Sequence, residues 1–101
     1  MDPIVLLIAT FDTKGVESDY IKQRVQANGA RCVTVDVGVG GTPTAEPDVS
    51  LRDLCRGSEY TVEQVRAMPR GDAVAISSNL VERYVQDQFR QGLCAAIIGI
   101  G

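Results

Sequence analysis

The sequence has no histidine among its 101 residues. Histidine is the commonest general base near neutral pH and the commonest zinc ligand in proteins. Its absence excludes a Ser-His-Asp or Cys-His mechanism carried by this chain alone. No arrangement of the remaining side chains predicts a metal site.

Clusters of basic residues and long apolar runs are also missing. The formal net charge is -3 and the sequence pI is near 4.8, which argues against nucleic-acid binding through the phosphate backbone. The longest apolar run, residues 4–9, is too short to cross a membrane, and the N-terminus lacks the features of a secretion signal. We therefore expect neither a nucleic-acid partner nor a membrane partner, and a cytoplasmic location.

Cysteine is scarce, and its pattern does not indicate a disulfide framework. The three cysteines, Cys32, Cys55 and Cys94, are widely spaced and lie within or beside apolar segments. This pattern is typical of reduced, buried thiols. With 45% hydrophobic and 23% charged residues, the composition is that of one folded domain.

Three apolar segments predict β-strands, and helical patterns separate them. The strands are expected in "IVLLIA" (4–9), "RCVTVDVG" (31–38) and "LCAAIIGIG" (93–101). Because parallel crossovers are right-handed, strands two and three on opposite sides of strand one would place helices on both faces. The sequence predicts one α/β lobe over residues 1–101, a three-layer Rossmann-like (flavodoxin-like) parallel sheet with strand order 2-1-3.

The helices have recognisable ends. If Asp12 is the N-cap of the first long helix, Phe11 and Val16 are placed to form a hydrophobic staple. Ser50 and Thr61 are expected to cap two short helices. The apolar face of the first helix is predicted at Val16, Tyr20, Ile21 and Val25, and that of the last helix at Val74, Ser77, Leu80, Val81, Tyr84, Val85 and Phe89.

The predicted strand order places a crevice at the carboxyl ends of strands one and three. Asp12, Thr13 and Lys14 directly follow strand one. Thr13, Lys14 and the backbone N–H groups at the helix start can receive an anion such as phosphate, and Asp12 can hold a hydroxyl group or a metal-bound water. The alternative is that Asp12 or Thr13 caps the helix and Lys14 extends into solvent.

Two further charged residues have open roles. Arg70 precedes the long helix, where a cation opposes the helix dipole, so either a bound anion or a pairing with Asp72 would relieve the conflict. Asp36 ends strand two, where it can hold a ribose or cap a turn. Neither the G-x-G-x-x-G nor the G-x-x-x-x-G-K-[ST] nucleotide motif is present.

Five segments carry a family resemblance. "IATFDTKGVESDYIKQRV", "VTVDVG", "DVSLRDL", "RGDAVAISSNLVERYV" and "AAIIGIG", in this order, resemble the N-terminal part of the ATP-binding domain family typified by the tomato mosaic virus resistance protein. The resemblance implies ATP as the ligand, with Mg²⁺. The nucleotide-binding residues that it implies are Asp12, Thr13, Lys14, Val39, Arg70, Gly99 and Gly101.

The sequence departs from that family where it stops at Gly101, before the glycine-rich loop and second lobe. We therefore expect a truncated lobe, the N-terminal fragment of a longer two-lobed protein, with weak or absent ATP binding. An open third strand predicts a homo-oligomer. Two other functions stay open: a lobe of a hydrolase or transferase acting on a small carboxylate or phosphorylated substrate through Asp12 or Asp36, and a protein-interaction module.

Overall fold

The structure is a computed structural model and describes residues 4–101. These residues form three strands and four helices, and three of the helices follow one another between the second and third strands. In chain order they are β1 (Ile4–Ala9), α1 (Phe11–Ala27), β2 (Arg31–Asp36), α2 (Leu51–Cys55), α3 (Val62–Ala67), α4 (Arg70–Arg90) and β3 (Cys94–Ile100).

The strands form one parallel sheet in the order β2-β1-β3. The central strand β1 is a continuous apolar run because both of its faces are covered. Its last residue, Ala9, pairs with Asp36 of β2 and with Ile100 of β3. The predicted Rossmann-like α/β fold with strand order 2-1-3 is confirmed, and the carboxyl ends of all three strands lie at one edge of the sheet.

The two faces of the sheet are covered by different helices. On one face, Val35 and Ile8 pack with apolar residues of α2, α3 and α4, including Leu54, Val65 and Leu80. On the other face, α1 packs against β1 and β2. The right-handed crossovers from β1 to β2 and from β2 to β3 account for this three-layer arrangement.

The short helices are capped as predicted. The Ser50 side chain accepts a hydrogen bond from the backbone N–H of Asp53, and the Thr61 side chain accepts one from Gln64. In both helices the side chain at the third position returns a bond to the cap residue, which completes a capping box. The cap of a short helix is a local feature, so the sequence predicts it well.

The predicted start of α1 was wrong. The helix begins at Phe11 with Thr10 as the N-cap residue, so Asp12 lies inside the helix. The reason is a contact between distant residues, because the backbone N–H of Phe11 donates to Oδ1 of Asp36 at 3.1 Å. The hydrophobic staple was also wrong, since Phe11 is buried whereas Val16 is 65% exposed.

The apolar faces of the long helices were predicted in part. In α4, Ser77, Leu80 and Val81 are buried as expected, but Val74 and Phe89 are 44% and 72% exposed. The prediction for α1 was wrong at Tyr20 as well as Val16, because the buried positions of this helix are Phe11, Gly15 and Ser18. Small residues let α1 lie close to the chain beneath it, which hydrophobic periodicity does not reveal.

Cys32 and Cys55 are buried free thiols, as predicted, and Cys94 is half-buried. Burial raises the pKa of Cys32 and Cys55, which makes both poor nucleophiles. Within residues 4–101, no helix combines the length and apolarity that a membrane crossing requires. The same residues contain no group of three or more cysteine, aspartate or glutamate side chains placed to hold a metal ion.

Candidate functional site

A cavity of about 350 Å³ opens at the carboxyl ends of β1 and β3. Ala9 and Ile100 are paired at the ends of these strands, and the residues that follow them, Thr10 and Gly101, both line the cavity. The described residues that line it are Thr10, Asp12, Thr13, Val37, Gly38, Val39, Gly40, Arg70, Val74, Ser78 and Gly101. The cavity therefore lies at the topological switch point, where ligands bind in open parallel sheets.

Five of the seven candidate site residues line this cavity: Asp12, Thr13, Val39, Arg70 and Gly101. Lys14 and Gly99 do not line it. Lys14 lies at a kink in α1, with φ of -123° and ψ of 18°, and Gly99 pairs with Ile8 inside the sheet. The structure thus brings together residues that are up to 89 positions apart in sequence, from Asp12 to Gly101.

Helix α4 supplies one wall of the cavity. Arg70, Val74 and Ser78 follow one another at four-residue spacing along one face of its first turns. The buried hydroxyl group of Ser77 donates to the carbonyl of Val37 at 2.8 Å and holds this part of α4 against the end of β2. The position of Arg70 beside the cavity is therefore fixed by packing further along the helix.

Arg70 has no carboxylate partner among residues 4–101. The five ion pairs of this part of the chain involve Lys22, Arg52, Arg56, Arg83 and Arg90. The N-cap residue of α4 is Pro69, whose side chain makes no capping bond. A guanidinium group beside an uncapped helix start, open to a cavity, is a favourable place for an anionic group.

The start of α1 is less available to an anion. The N–H of Phe11 donates to Asp36, and those of Thr13 and Lys14 donate to the carbonyl of Thr10 at 3.2 and 2.7 Å. These three backbone donors are therefore already hydrogen-bonded within the protein. The positively charged side of the cavity is the side formed by α4.

Asp12 contributes a carboxylate packed against the glycine-containing segment that follows β2. A Cβ atom at Gly38 would lie 2.7 Å from Oδ1 of Asp12, and one at Gly40 would lie 2.5 Å from Oδ2. Oδ1 is buried and has no hydrogen-bond partner among the described residues. The two glycines permit this close approach, which no residue with a side chain would allow without displacing the carboxylate.

Asp36 lies next to Asp12 but is directed into the protein. Its Oδ1 accepts the N–H of Phe11 at 3.1 Å and that of Gly38 at 2.8 Å, and the residue is only 5% exposed. Burial raises the pKa of Asp36, the two backbone hydrogen bonds oppose this, and the nearby charge of Asp12 raises the pKa further. Asp36 therefore positions the start of α1 and of the following segment and does not line the cavity.

The segment between β2 and α2 is fixed at two places. Thr44 donates its N–H and its hydroxyl group to the carbonyl of Phe11. Further along, the Asp48 carboxylate accepts from the Lys22 ammonium and from the N–H of Thr34. Burial raises the pKa of Asp48, but the hydrogen bonds and charge of Lys22 and the bonds from Thr34 outweigh it, so the net pKa is lowered.

Sequence reasoning missed the contact of Asp12 with Gly38 and Gly40, and the contribution of Val74 and Ser78. The available signal for the glycines was "GVGG", which matches no nucleotide motif but places glycines at alternate positions just after a strand. Val74 was assigned to the core because its helical spacing is that of a buried residue. No local signal distinguishes a residue facing a cavity from one facing the core.

A larger cavity of about 430 Å³ lies between α2 and α4, away from the strand ends. Arg83 is among its lining residues and is paired with Glu59. Its charged groups thus have partners within the protein, in contrast to Arg70. We regard the smaller cavity at the strand ends as the candidate site because its charged side chains, Asp12 and Arg70, take part in none of the five ion pairs among the described residues.

The fold and this cavity define the class of protein: an open parallel α/β sheet with a polar cavity at its switch point. The chain belongs to the uncharacterised protein family UPF0261, because the model of that family's N-terminal domain matches residues 3–101. It is 24% identical to a UPF0261 protein of Clostridium tetani over 98 residues, which cover 92% of this chain. It is 28% identical to a UPF0261 protein of Brucella suis and 26% identical to one of Brucella melitensis, in each case over 98% of this chain.

These findings correct the family resemblance drawn from the sequence. The matching family and the relatives are those of UPF0261, so the identification with the ATP-binding family of the tomato mosaic virus resistance protein was wrong. The chain spans 24% of the length of each of the three relatives. A lobe of a longer protein is consistent with these lengths.

Proposed function

We propose that this chain is the N-terminal lobe of a nucleotide-binding protein, with ATP, accompanied by Mg²⁺, as the ligand of the cavity at the ends of β1 and β3. The observation that carries the proposal is that Arg70 and Asp12 line the same cavity and that neither is ion-paired among residues 4–101. A phosphate group has the charge that Arg70 prefers, and arginine binds phosphate in bidentate geometry.

The chemical character of the walls supports a nucleotide over a simple anion. Val37, Val39 and Val74 form an apolar part of the lining, which suits a planar base, while Thr13 and Ser78 offer hydroxyl groups. The volume of about 350 Å³ is at the lower end of the range for ligand pockets. We expect the remainder of a longer family protein to supply the rest of the site, so the affinity of this chain alone should be low.

Arg70→Gln is expected to abolish stabilisation by ATP. In the unsubstituted chain, ATP at ten times its Kd should add about 1.4 kcal/mol to the free energy of unfolding. For a domain of this size, such a gain raises Tm by about 5–10 °C. The measurement is a thermal melt at increasing ATP concentration, with Mg²⁺ held constant and a series containing Mg²⁺ alone.

Arg90→Gln is the matched control, because Arg90 is an exposed arginine at the opposite end of the same helix and is ion-paired with Asp87. It removes the same charge and should leave the ATP-dependent rise in Tm unchanged. An equal rise in the Arg70 variant, or no rise for the unsubstituted chain at about 10 mM ATP, roughly ten times a millimolar Kd, would remove the proposal.

We also propose that the chain self-associates through the open edge of β3. This strand pairs only with β1 within the described residues, and most of it is exposed, with Ile97 at 52%. Its sequence "CAAIIGI" contains no charged residue and no proline, the usual protection of an open edge. A second copy of the strand can therefore form backbone hydrogen bonds there.

Light scattering over a range of protein concentrations tests this self-association. We expect the average mass to rise with concentration, and Ile97→Lys to keep the chain monomeric because it places a charge on the edge strand. Val16→Lys is the control, since Val16 is 65% exposed on α1. Association lost in the Val16 variant but kept in the Ile97 variant would assign the interface to the helix instead.

A further inference from the structure

The cavity contains an acceptor that the protein does not use. Asp12 lines the cavity, its Oδ1 is buried without a hydrogen-bond partner among the described residues, and it takes part in none of their five ion pairs. A buried acceptor without a donor lowers stability unless something else supplies the bond. Asp12 is therefore a cavity residue whose carboxylate lacks one hydrogen-bond donor among the described residues.

The surrounding backbone explains why the protein itself supplies no donor. The N–H of Gly38, which is next to Asp12, donates to Asp36 instead. The segment is held at its two ends, by Val37 on the carbonyl of Ala9 and by Thr44 on that of Phe11. Between these anchors, the absence of a side chain at Gly38 and Gly40 lets the segment lie directly against the Asp12 carboxylate, so no other side chain of the described residues reaches it from that side.

The position of Asp36 indicates which ligand group Asp12 receives. In dinucleotide-binding folds, an acidic residue near the end of β2 accepts the hydroxyl groups of the ribose. Asp36 has that place in the sequence, but its Oδ1 is occupied by the N–H groups of Phe11 and Gly38, and it does not line the cavity. Asp12 is the acidic side chain that reaches the cavity in this fold.

We propose that Asp12 recognises the ribose of the nucleotide by accepting hydrogen bonds from its 2′- and 3′-hydroxyl groups, while Arg70 binds the phosphates. This inference rests on the proposed function, and it makes the site selective for ribonucleotides. A direct contact of Asp12 with Mg²⁺ is the competing role, since one carboxylate together with the phosphates can hold this ion.

Competitive binding of ATP, 2′-deoxyATP and 3′-deoxyATP to the chain tests the assignment. We expect ATP to bind about 10-fold or more tightly than either deoxynucleotide, since each analogue leaves the charged acceptor with a missing donor. Asp12→Ala should bind ATP more weakly and lose the preference. This variant is expected to fold, because within the part of the chain that the structure describes the Asp12 carboxylate forms no ion pair and has a buried oxygen without a hydrogen bond.

Gly40→Ala provides a second variant that leaves Asp12 in the sequence. Its Cβ would lie 2.5 Å from Oδ2 of Asp12, so the carboxylate must move and the preference for ATP should fall. Gly41→Ala is the matched control, because a Cβ at Gly41 meets no atom within 4 Å. The Gly41 variant should keep both its affinity for ATP and its preference for ribose.

The outcomes separate the two proposals. ATP binding that depends on Arg70 but does not distinguish ATP from the deoxynucleotides would overturn the role of Asp12 and leave the nucleotide site intact. A further outcome is that removing Mg²⁺ lowers the affinity for ATP as much as Asp12→Ala does, with no preference for ribose. That result would assign Asp12 to the metal ion and would also overturn its role in ribose recognition. No ATP binding at all would overturn both.

Discussion

Replacement of Asp36 by alanine is expected to lower the free energy of unfolding by about 2–4 kcal/mol, because one buried and one partly buried backbone donor lose their shared acceptor. These donors are the N–H groups of Phe11 and Gly38, at 3.1 and 2.8 Å from Oδ1. Such a loss corresponds to a fall in Tm of roughly 10–25 °C for a chain of this length. Chemical denaturation and thermal melts measure both quantities.

Asp36→Asn separates the hydrogen bonds from the charge. The amide oxygen can still accept from Phe11 and Gly38, so most of the stability should remain at neutral pH. An alanine variant as stable as the asparagine variant would show that the two bonds do not hold the start of α1. Asp36→Ala should also distort the cavity, since Asp12 follows Phe11 directly and packs against Gly38.

The free energy of unfolding of the unsubstituted chain and that of the Asp36→Asn variant should depend differently on pH. The pKa of Asp36 is raised in the folded state, mainly by burial, so the folded state binds this proton more tightly than the unfolded state. The contribution of Asp36 to stability is therefore fully present below its unfolded pKa and decreases as pH rises towards the folded pKa. The stability of Asp36→Asn relative to the unsubstituted chain should rise across this interval and then level off.

The sequence was sufficient for the architecture because the relevant signals are local or topological. The continuous apolar run of β1 indicates a strand covered on both faces, and right-handed crossovers lead to the order 2-1-3. The capping residues Ser50 and Thr61 act over three positions, so they were identified without tertiary information. These elements bring the ends of β1 and β3 together, and the location of the cavity follows from them.

The details of the site depend on contacts that periodicity does not encode. The start of α1 is set by Asp36, 25 positions away from Phe11, and Asp12 was therefore assigned to a cap that Thr10 occupies. Val74 has the spacing of a core residue but lines the cavity, because Ala73 is the residue that turns inward. Short motifs also misled the family identification, which the match over residues 3–101 corrected.

Gly15→Ala is expected to destabilise the fold by about 2–3 kcal/mol, although alanine favours a helix over glycine by up to about 1 kcal/mol. Gly15 is buried in α1, and a Cβ there would lie 2.4 Å from Oγ1 of Thr44 and 2.7 Å from the backbone nitrogen of Ala45. The backbone contact cannot be relieved by rotating a side chain. The segment that follows β2 must therefore move away from α1, or the helix must shift.

Gly71→Ala is the matched control for this substitution. Gly71 lies in the first turn of α4, and a Cβ there would meet no atom within 4 Å, so alanine should be neutral or stabilising by up to about 1 kcal/mol. Comparing the two variants by denaturant unfolding separates the cost of the steric clash at position 15 from the gain in helix propensity that both variants share. A Gly15 variant that gains stability would show that α1 does not require the close approach to Thr44. If the loss is observed, the Thr44 anchor is displaced, and ribose selectivity should fall with stability, because Gly38 and Gly40 hold the Asp12 carboxylate in place.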